Sequence, residues 1–130
     1  MAVAEIVTIG TELLLGEIQD TNSRYIARFL RDIGVDLYRL STVGDNVQRI
    51  TATLQEALMR ADIVITTGGL GPTVDDPTRQ AVAKTFNVPL EFHEELWEQI
   101  LERYKQYGQK PTENNKRQAY IPANSIPILN

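Results

Sequence analysis

The sequence contains no cysteine, only one histidine and only one tryptophan among its 130 residues. Without cysteine there is neither a disulfide framework nor a thiolate site. No apolar run approaches the roughly 18 residues that a membrane-spanning helix needs, and the N-terminus lacks the basic and apolar regions of a signal peptide. We therefore expect a cytoplasmic protein that does not contact a membrane, and we predict no covalently bound cofactor.

The sequence also lacks an excess of basic residues. Its 17 acidic residues outnumber 13 basic ones and give a formal net charge of −4. Proteins that bind nucleic acid usually carry a basic surface, because contacts to phosphate supply most of their affinity. DNA and RNA are therefore not the expected ligands, whereas a small phosphorylated molecule is compatible with this composition. The length and the hydrophobic content of 42% predict one globular domain over residues 1–130.

A glycine-rich loop stands in the middle of the chain, between an apolar strand and a helix start. The β-branched run 63–65 is typical of a buried parallel strand, and three glycines follow it closely: Gly68, Gly69 and Gly71. Asp76 before Pro77 matches a helix N-cap followed by proline at the first helical position. Such a loop offers backbone N–H groups to a phosphate, and Asp75 and Asp76 could hold a hard cation such as Mg²⁺ beside it. The alternative is an ordinary capped turn.

Strands and helices alternate over the first two thirds of the chain. Apolar runs predict strands at 3–9, 35–43 and 63–65, the first of them buried on both faces. Helical spacing of apolar residues predicts two helices between these strands. The apolar positions are Ile26, Phe29, Leu30 and Ile33 in the first and Val47, Ile50, Leu54 and Leu58 in the second. A third helix is predicted over 77–86. This βαβαβα pattern predicts an α/β fold with a mostly parallel sheet and right-handed crossovers.

Polar residues follow each predicted strand directly. Glu12 comes after the first strand, Asp45 after the second and the glycine-rich loop after the third. Because the carboxyl ends of parallel strands lie at one edge of the sheet, we expect these three loops to form one ligand site. Each has a simpler alternative. Glu12 could be a solvated loop acid, and Asp45 with Gln48 matches a capping box that would explain Asp45 by itself.

The last third of the chain predicts two more helices. Residues 93–107 have an apolar face with acids early and bases late, and the lone His93 is interpreted as a capping or surface residue. Residues 112–119 predict a short polar helix whose Lys116 is either a phosphate contact or a solvated charge. Residues 125–129 have the pattern of a strand or its approach.

With these residues laid out, the chain resembles the N-terminal domain of the CinA (competence/damage-inducible) proteins, which is similar to the molybdopterin-binding MoaB/Mog domains. The resemblance covers nearly the whole chain and rests on these segments: Gly10-Thr-Glu-Leu-Leu14 with Gly16, Asp20-Thr-Asn-Ser23, Val43-Gly-Asp45, the loop from Thr66 to Thr78, and Asn115-Lys-Arg-Gln-Ala119.

The resemblance implies a three-layer α/β/α domain with a pocket for a nucleotide or pterin that carries phosphate. By the same resemblance, Asp45 and Asp76 are expected at the metal and phosphate chemistry, with Mg²⁺ as the metal. Glu12 is a third catalytic candidate that would orient a water or contact a ribose. The candidate ligand-binding residues are Asn22, Thr67, Gly68, Gly69, Gly71, Asp75, Thr78 and Lys116.

For a CinA-like domain the implied activity is Mg²⁺-dependent hydrolysis of a nucleotide pyrophosphate such as ADP-ribose. Two alternatives stay open: a molybdopterin adenylyltransferase of the Mog type, and a binding module without catalysis. The family usually continues past position 130 with a Gly-Thr-Ala-Pro-Gly-like segment, and longer members add an amidase domain. We therefore interpret the chain as a domain truncated at its C-terminal end, and an uncovered edge there predicts a homo-oligomer.

Overall fold

Residues 1–73 and 75–128 are described by a computed structural model of the chain. Val74, Leu129 and Asn130 lie outside the described residues. The chain divides into two compact units, Met1–Gly69 and Leu70–Asn130. Within the described residues, no helix has the length and apolar character needed to cross a membrane.

The first unit is built on a parallel three-stranded sheet. Its elements in chain order are β1 Val3–Ile9, α1 Thr11–Leu14, α2 Thr21–Asp32, β2 Asp36–Val43, α3 Val47–Arg60 and β3 Ile63–Thr67. The strand order is β2-β1-β3, and Thr8 near the end of β1 lies opposite both Thr42 and Thr67. All three strands therefore end at the same edge, as the alternating pattern predicts.

β1 forms the centre of this unit because it is paired on both sides and covered on both faces. Every residue from Ala4 to Ile9 is buried. Ile6 packs with Leu30 of α2, and partly buried side chains such as Ile65 lie against this cluster. The prediction of a strand buried on both faces is confirmed.

β1 contains a buried acid among its mostly apolar residues. Glu5 is only 1% exposed and receives two hydrogen bonds from the Arg60 guanidinium, Nε to Oε2 at 2.8 Å and Nη2 to Oε1 at 2.9 Å. A buried carboxylate needs such paired donors, since an unpaired charge would be strongly unfavourable. Arg60 is the last residue of α3, so this ion pair ties the end of that helix to the middle of the sheet.

Two sequence predictions about the helices of this unit are wrong in detail. Phe29 and Ile33 are 55% and 57% exposed, so the buried stripe of α2 consists of Ile26 and Leu30. The N-cap of α3 is Asn46, whose side chain accepts the N–H of Arg49, and Asp45 is not the cap. Asp45 is therefore available for other contacts.

The second unit contains α4 Thr78–Thr85, β4 Leu90–Phe92, α5 Glu94–Gln106, a 3₁₀ helix Glu113–Ala119 and β5 Tyr120–Pro122. β4 and β5 pair in antiparallel fashion, and the Phe92 and Tyr120 rings meet with centroids 5.3 Å apart. The sequence pattern did not predict β4, because a three-residue strand is too short for a periodic signal. Residues 125–128 have no strand, in contrast to the predicted approach, and 129 lies outside the described residues.

Candidate functional site

In the first unit, the loops after β1 and β2 are joined through Thr11 and Asp45. The Thr11 N–H donates to Asp45 Oδ2 at 3.2 Å, and the Asp45 N–H donates to Thr11 Oγ1 at 3.1 Å. The Gly10 N–H also donates to the Val43 carbonyl at 2.9 Å. These bonds hold the exposed carboxylate of Asp45 at the carboxyl edge of the sheet, where an open α/β sheet binds its ligands.

Glu12 and Asn22 are exposed residues of the same unit. Glu12 lies in the first turn of α1, and its carboxylate occupies the space that a Cβ on Gly10 would need, with Oε1 at 2.6 Å from that position. Asn22 lies in the first turn of α2, which Asp20 caps by accepting the Ser23 N–H at 3.1 Å. Their predicted roles toward a ligand remain predictions.

The glycines that follow β3 have left-handed backbone conformations. Gly68 has φ of 87° and Gly69 has φ of 66°, values that residues with a side chain rarely adopt. A Cβ on Gly68 would collide with the carbonyl of Ile9 at the end of β1. Gly68 is therefore required by the close approach of two backbones, directly after Thr67, the last residue of β3.

In the second unit, Asp76 closes a tight turn. Its Oδ2 accepts the Thr73 N–H at 3.0 Å and the Thr73 hydroxyl at 2.8 Å, and the Gly71 N–H also donates to this carboxylate. The N–H of Asp75 donates to Thr73 Oγ1 at 3.2 Å. A Cβ on Gly71 would collide with the Asp76 carboxylate. We refer to residues 71–76, Val74 apart, as the aspartate turn.

One prediction about this turn is wrong. Asp76 is not the N-cap of α4, because the helix begins at Thr78 after Pro77 and has no side-chain cap. The predicted contact of the Gly71 N–H with a phosphate remains a prediction. Asp75 is exposed, and Thr78 is buried, with 2% of its surface exposed.

Arg79 holds the aspartate turn from the first turn of α4. Its guanidinium donates to the Leu70 carbonyl at 2.8 Å and to the Gly71 carbonyl at 2.6 Å. Burial lowers the pKa of Arg79. The charge of Asp76 acts to raise this pKa, and the charge of Arg117 acts to lower it further. Arg79 nevertheless stays charged, since an arginine is protonated at any physiological pH.

The same surroundings keep Asp76 ionised. Burial acts to raise the pKa of Asp76, but the hydrogen bonds from Thr73 and Gly71 and the charge of Arg79 together hold it below its ordinary value of 3.8. The turn therefore presents a carboxylate that is charged throughout the physiological range, next to a guanidinium.

A cavity of about 470 Å³ opens beside this pair. It is lined by Thr73, Asp76, Arg79, Gln80, Arg117 and Tyr120, with Leu90 on the apolar side. Lys116 is not among the lining residues. Its Nζ lies 5.8 Å from the centroid of the Trp97 ring and 3.5 Å from Glu113 Oε2.

A buried asparagine holds the 3₁₀ helix that carries Lys116 and Arg117. Asn115 Oδ1 accepts the Thr112 N–H at 2.7 Å, and its Nδ2 donates to the Tyr104 hydroxyl of α5 at 2.8 Å. Asn115 and Ala119 are buried on one side of the helix. The two polar atoms of Asn115 therefore fix the 3₁₀ helix to α5 and set the direction of the residues that follow.

Sequence reasoning missed Arg79 and Arg117 as site residues. Each stands next to a residue that we did select, Arg79 after Thr78 and Arg117 after Lys116. Among residues 1–73 and 75–128, no group of three or more Asp, Glu, His or Cys side chains is arranged to hold a metal ion.

The parallel sheet with its flanking helices assigns the chain to the α/β class, and comparison with known proteins identifies the family of domains. Residues 5–127 match the family described as "Probable molybdopterin binding domain". The structure of MoaB from Thermus thermophilus aligns over 90% of this chain and 72% of its own, with a TM-score of 0.61 and 24% identity, which supports the fold alone.

More similar relatives narrow the class. The crystal structure of CinA from Thermoplasma acidophilum aligns over 99% of this chain and 75% of its own, with a TM-score of 0.89 and 35% identity. Competence-damage inducible proteins of Halothermothrix orenii and Clostridioides difficile are 49% and 46% identical over 98% of this chain. The chain therefore belongs to the CinA family of molybdopterin-binding-type domains. It spans 31% and 30% of the length of those two relatives.

Proposed function

We propose that this domain binds a phosphorylated nucleotide or pterin and takes part in Mg²⁺-dependent hydrolysis of a nucleotide pyrophosphate such as ADP-ribose. The observation that carries the proposal is the ionised Asp76 beside Arg79 at the edge of a cavity of about 470 Å³. Pyrophosphate cleavage needs a hard carboxylate donor for the metal and cationic donors for the phosphate oxygens. Asp76 in the aspartate turn and Arg79 in α4 provide these two kinds of group at one cavity.

The donor chemistry of the turn fits a magnesium ion. Mg²⁺ is usually held by one or two carboxylates together with waters and the phosphates of the substrate. Asp76 supplies a carboxylate that is charged at neutral pH. Asp45, the other ligand expected from the sequence, stays a prediction. When bound, the ion would neutralise the phosphate charge and lower the pKa of a water molecule so that it attacks more readily.

Residues of the chain would position the groups that take part in hydrolysis. Arg79 fixes the carbonyls of Leu70 and Gly71 and thereby keeps the aspartate turn in one shape. A turn that does not have to rearrange presents its charges to the developing transition state without a reorganisation cost. Glu12 is proposed to orient a water or to contact a ribose, as its sequence position suggests.

Hydrolysis of ADP-ribose in the presence of Mg²⁺ tests the proposal directly. We expect Asp76→Asn to reduce turnover by about 100-fold or more, since a neutral amide is a poor ligand for Mg²⁺. Asp36→Asn is the matched control, because it removes the same charge from an exposed residue at the start of β2. Equal turnover of wild type and Asp76→Asn would contradict the proposed role of Asp76.

The description of the matching family favours a second candidate, in which the ligand is molybdopterin. The reaction proposed for it is adenylyl transfer, as the resemblance to the Mog domains implies. The two functions are separated by offering the chain ADP-ribose or molybdopterin with ATP, each with Mg²⁺, and detecting the product. Release of AMP from ADP-ribose supports hydrolysis, whereas an adenylylated pterin supports the transferase. Binding of either ligand without product would indicate a binding module.

A further inference from the structure

We propose that Arg117, together with Arg79, forms the anion-binding wall of the cavity beside the aspartate turn, and that the group bound there is a phosphate or pyrophosphate. The proposal rests on the proposed function in one respect only, namely that the ligand is phosphorylated. It assigns the cationic contact to Arg117 in place of Lys116.

The cavity beside the aspartate turn has an excess of positive charge. The described lining of the cavity contains two guanidinium groups, Arg79 and Arg117, and one carboxylate, Asp76. The carboxylate already accepts hydrogen bonds from Thr73 and Gly71. A chain with a net charge of −4 thus has a cavity with one more positive than negative charge. Two like charges at one cavity repel each other, and a bound anion relieves that repulsion.

The two arginines of the cavity differ in what they already bind. The guanidinium of Arg79 donates to the carbonyls of Leu70 and Gly71. Arg117 is exposed, and among residues 1–73 and 75–128 it forms neither a salt bridge nor a side-chain hydrogen bond. A guanidinium presents two parallel N–H groups that match the oxygens of a phosphate. Arg117 therefore supplies the hydrogen bonds, and Arg79 adds charge.

The neighbouring cation, Lys116, does not line the cavity. Lys116 has partners within its own unit, the Trp97 ring and Glu113. Asn115 fixes the 3₁₀ helix through Thr112 and Tyr104, and successive residues of this helix face different ways. Arg117 lines the cavity, whereas Lys116 lies against α5. The neutral donors Gln80 and Tyr120 complete a polar rim on which phosphate oxygens have further partners.

Binding of inorganic pyrophosphate by isothermal titration calorimetry tests the assignment. EDTA is present, so that no metal and no turnover are involved. We expect Arg117→Gln to weaken binding about tenfold or more, which is the usual effect of losing a charged hydrogen bond. Lys116→Gln is the matched control, with the same loss of charge one residue away, and should bind as the wild type does. Arg117→Lys should give an intermediate affinity, because it keeps the charge and loses the paired donors.

The outcomes separate this proposal from the proposed function. No binding of pyrophosphate by the wild type, unchanged binding by Arg117→Gln, or equal weakening by Lys116→Gln would each overturn the assignment. If pyrophosphate binding depends on Arg117 but the chain hydrolyses no nucleotide, the proposed hydrolysis is contradicted and the assignment of the anion site is supported. Thermal melts of the three variants confirm that each is folded, as expected for side chains outside the core.

Discussion

At the scale of single residues, the carboxylate of Asp76 is stabilised in its charged form by the turn that surrounds it. Three donors converge on it, the N–H and hydroxyl of Thr73 and the N–H of Gly71. Because these bonds favour the ionised acid, they lower its pKa in the folded chain below the value of 3.8 that applies when the chain is unfolded. Folding and ionisation of Asp76 are therefore coupled.

This coupling predicts how the stability contribution of Asp76 depends on pH. A group whose pKa is lowered by folding stabilises the native state fully above its unfolded pKa and loses that contribution as pH falls through the folded pKa. We expect the free energy of unfolding to differ between wild type and Asp76→Asn by a constant amount near neutral pH. The difference should shrink below pH 3.8.

Urea titrations of both proteins from about pH 7 to about pH 3 measure this difference. The Asp36→Asn variant serves as the control for general charge effects, since its carboxylate is exposed at the beginning of β2. The free energy of unfolding of the wild type could exceed that of Asp76→Asn by as much at low pH as at neutral pH. That result would show that the charge of Asp76 does not stabilise the turn.

At the scale of elements, the junction of β1, β3 and the glycine-rich loop depends on the absence of one side chain. Gly68 follows β3, has φ of 87°, and lies against the carbonyl of Ile9 at the end of β1. A substitution here combines an unfavourable backbone conformation with a collision between a Cβ and a backbone atom that cannot move freely. Gly16, which follows α1, has φ of 75° and nothing within 4 Å of an added Cβ.

The comparison of these two glycines separates the two costs. Gly16→Ala should destabilise the chain by about 1–2 kcal/mol, the cost of a left-handed conformation for a residue with a Cβ. Gly68→Ala should cost a further ~1–3 kcal/mol because the strand ends must move apart. Urea denaturation measures the free energy of unfolding of both variants. Equal decreases for Gly16→Ala and Gly68→Ala would mean that the end of β1 and the glycine-rich loop move apart at little cost.

At the scale of the whole molecule, self-association is a prediction from the sequence, and the structure offers a candidate surface for it. Tyr25 and Phe29 of α2 and Ile33, the C-cap residue directly after it, recur every four residues and are 74%, 55% and 57% exposed. Side chains at this spacing lie on one face of a helix. An exposed apolar stripe of this kind commonly marks a contact with another chain.

Multi-angle light scattering tests whether this stripe joins two copies. We expect the wild type to have a mass above that of the monomer and the double variant Phe29→Ser, Ile33→Ser to have the monomer mass, because these changes remove apolar area from the contact. Met59→Ser is the control, since Met59 is 87% exposed on α3 without apolar neighbours at helical spacing. A monomeric wild type, or a variant that associates as the wild type does, would contradict the prediction.

The sequence by itself determined the main strands and helices of the first unit and the α/β class of the fold. The apolar run 3–9, the helical spacing of α2 and α3 and the glycine-rich loop predicted a parallel sheet with residues such as Asp45 at its carboxyl edge, and motifs such as Asn115 to Ala119 identified the family. These features depend on residues close together in the chain, so a pattern of neighbours is enough to predict them.

Only the tertiary structure decided which distant groups meet. It paired Glu5 with Arg60, 55 residues later, and turned Phe29 away from the core. It also placed Arg117 at the cavity that Arg79 lines. The pairing of β4 with β5, about 30 residues apart, was equally invisible in a local pattern. Such contacts follow from the packing of whole elements, to which a residue's neighbours in the chain contribute little. The sequence alone therefore could not show which of the adjacent residues Lys116 and Arg117 lines the cavity.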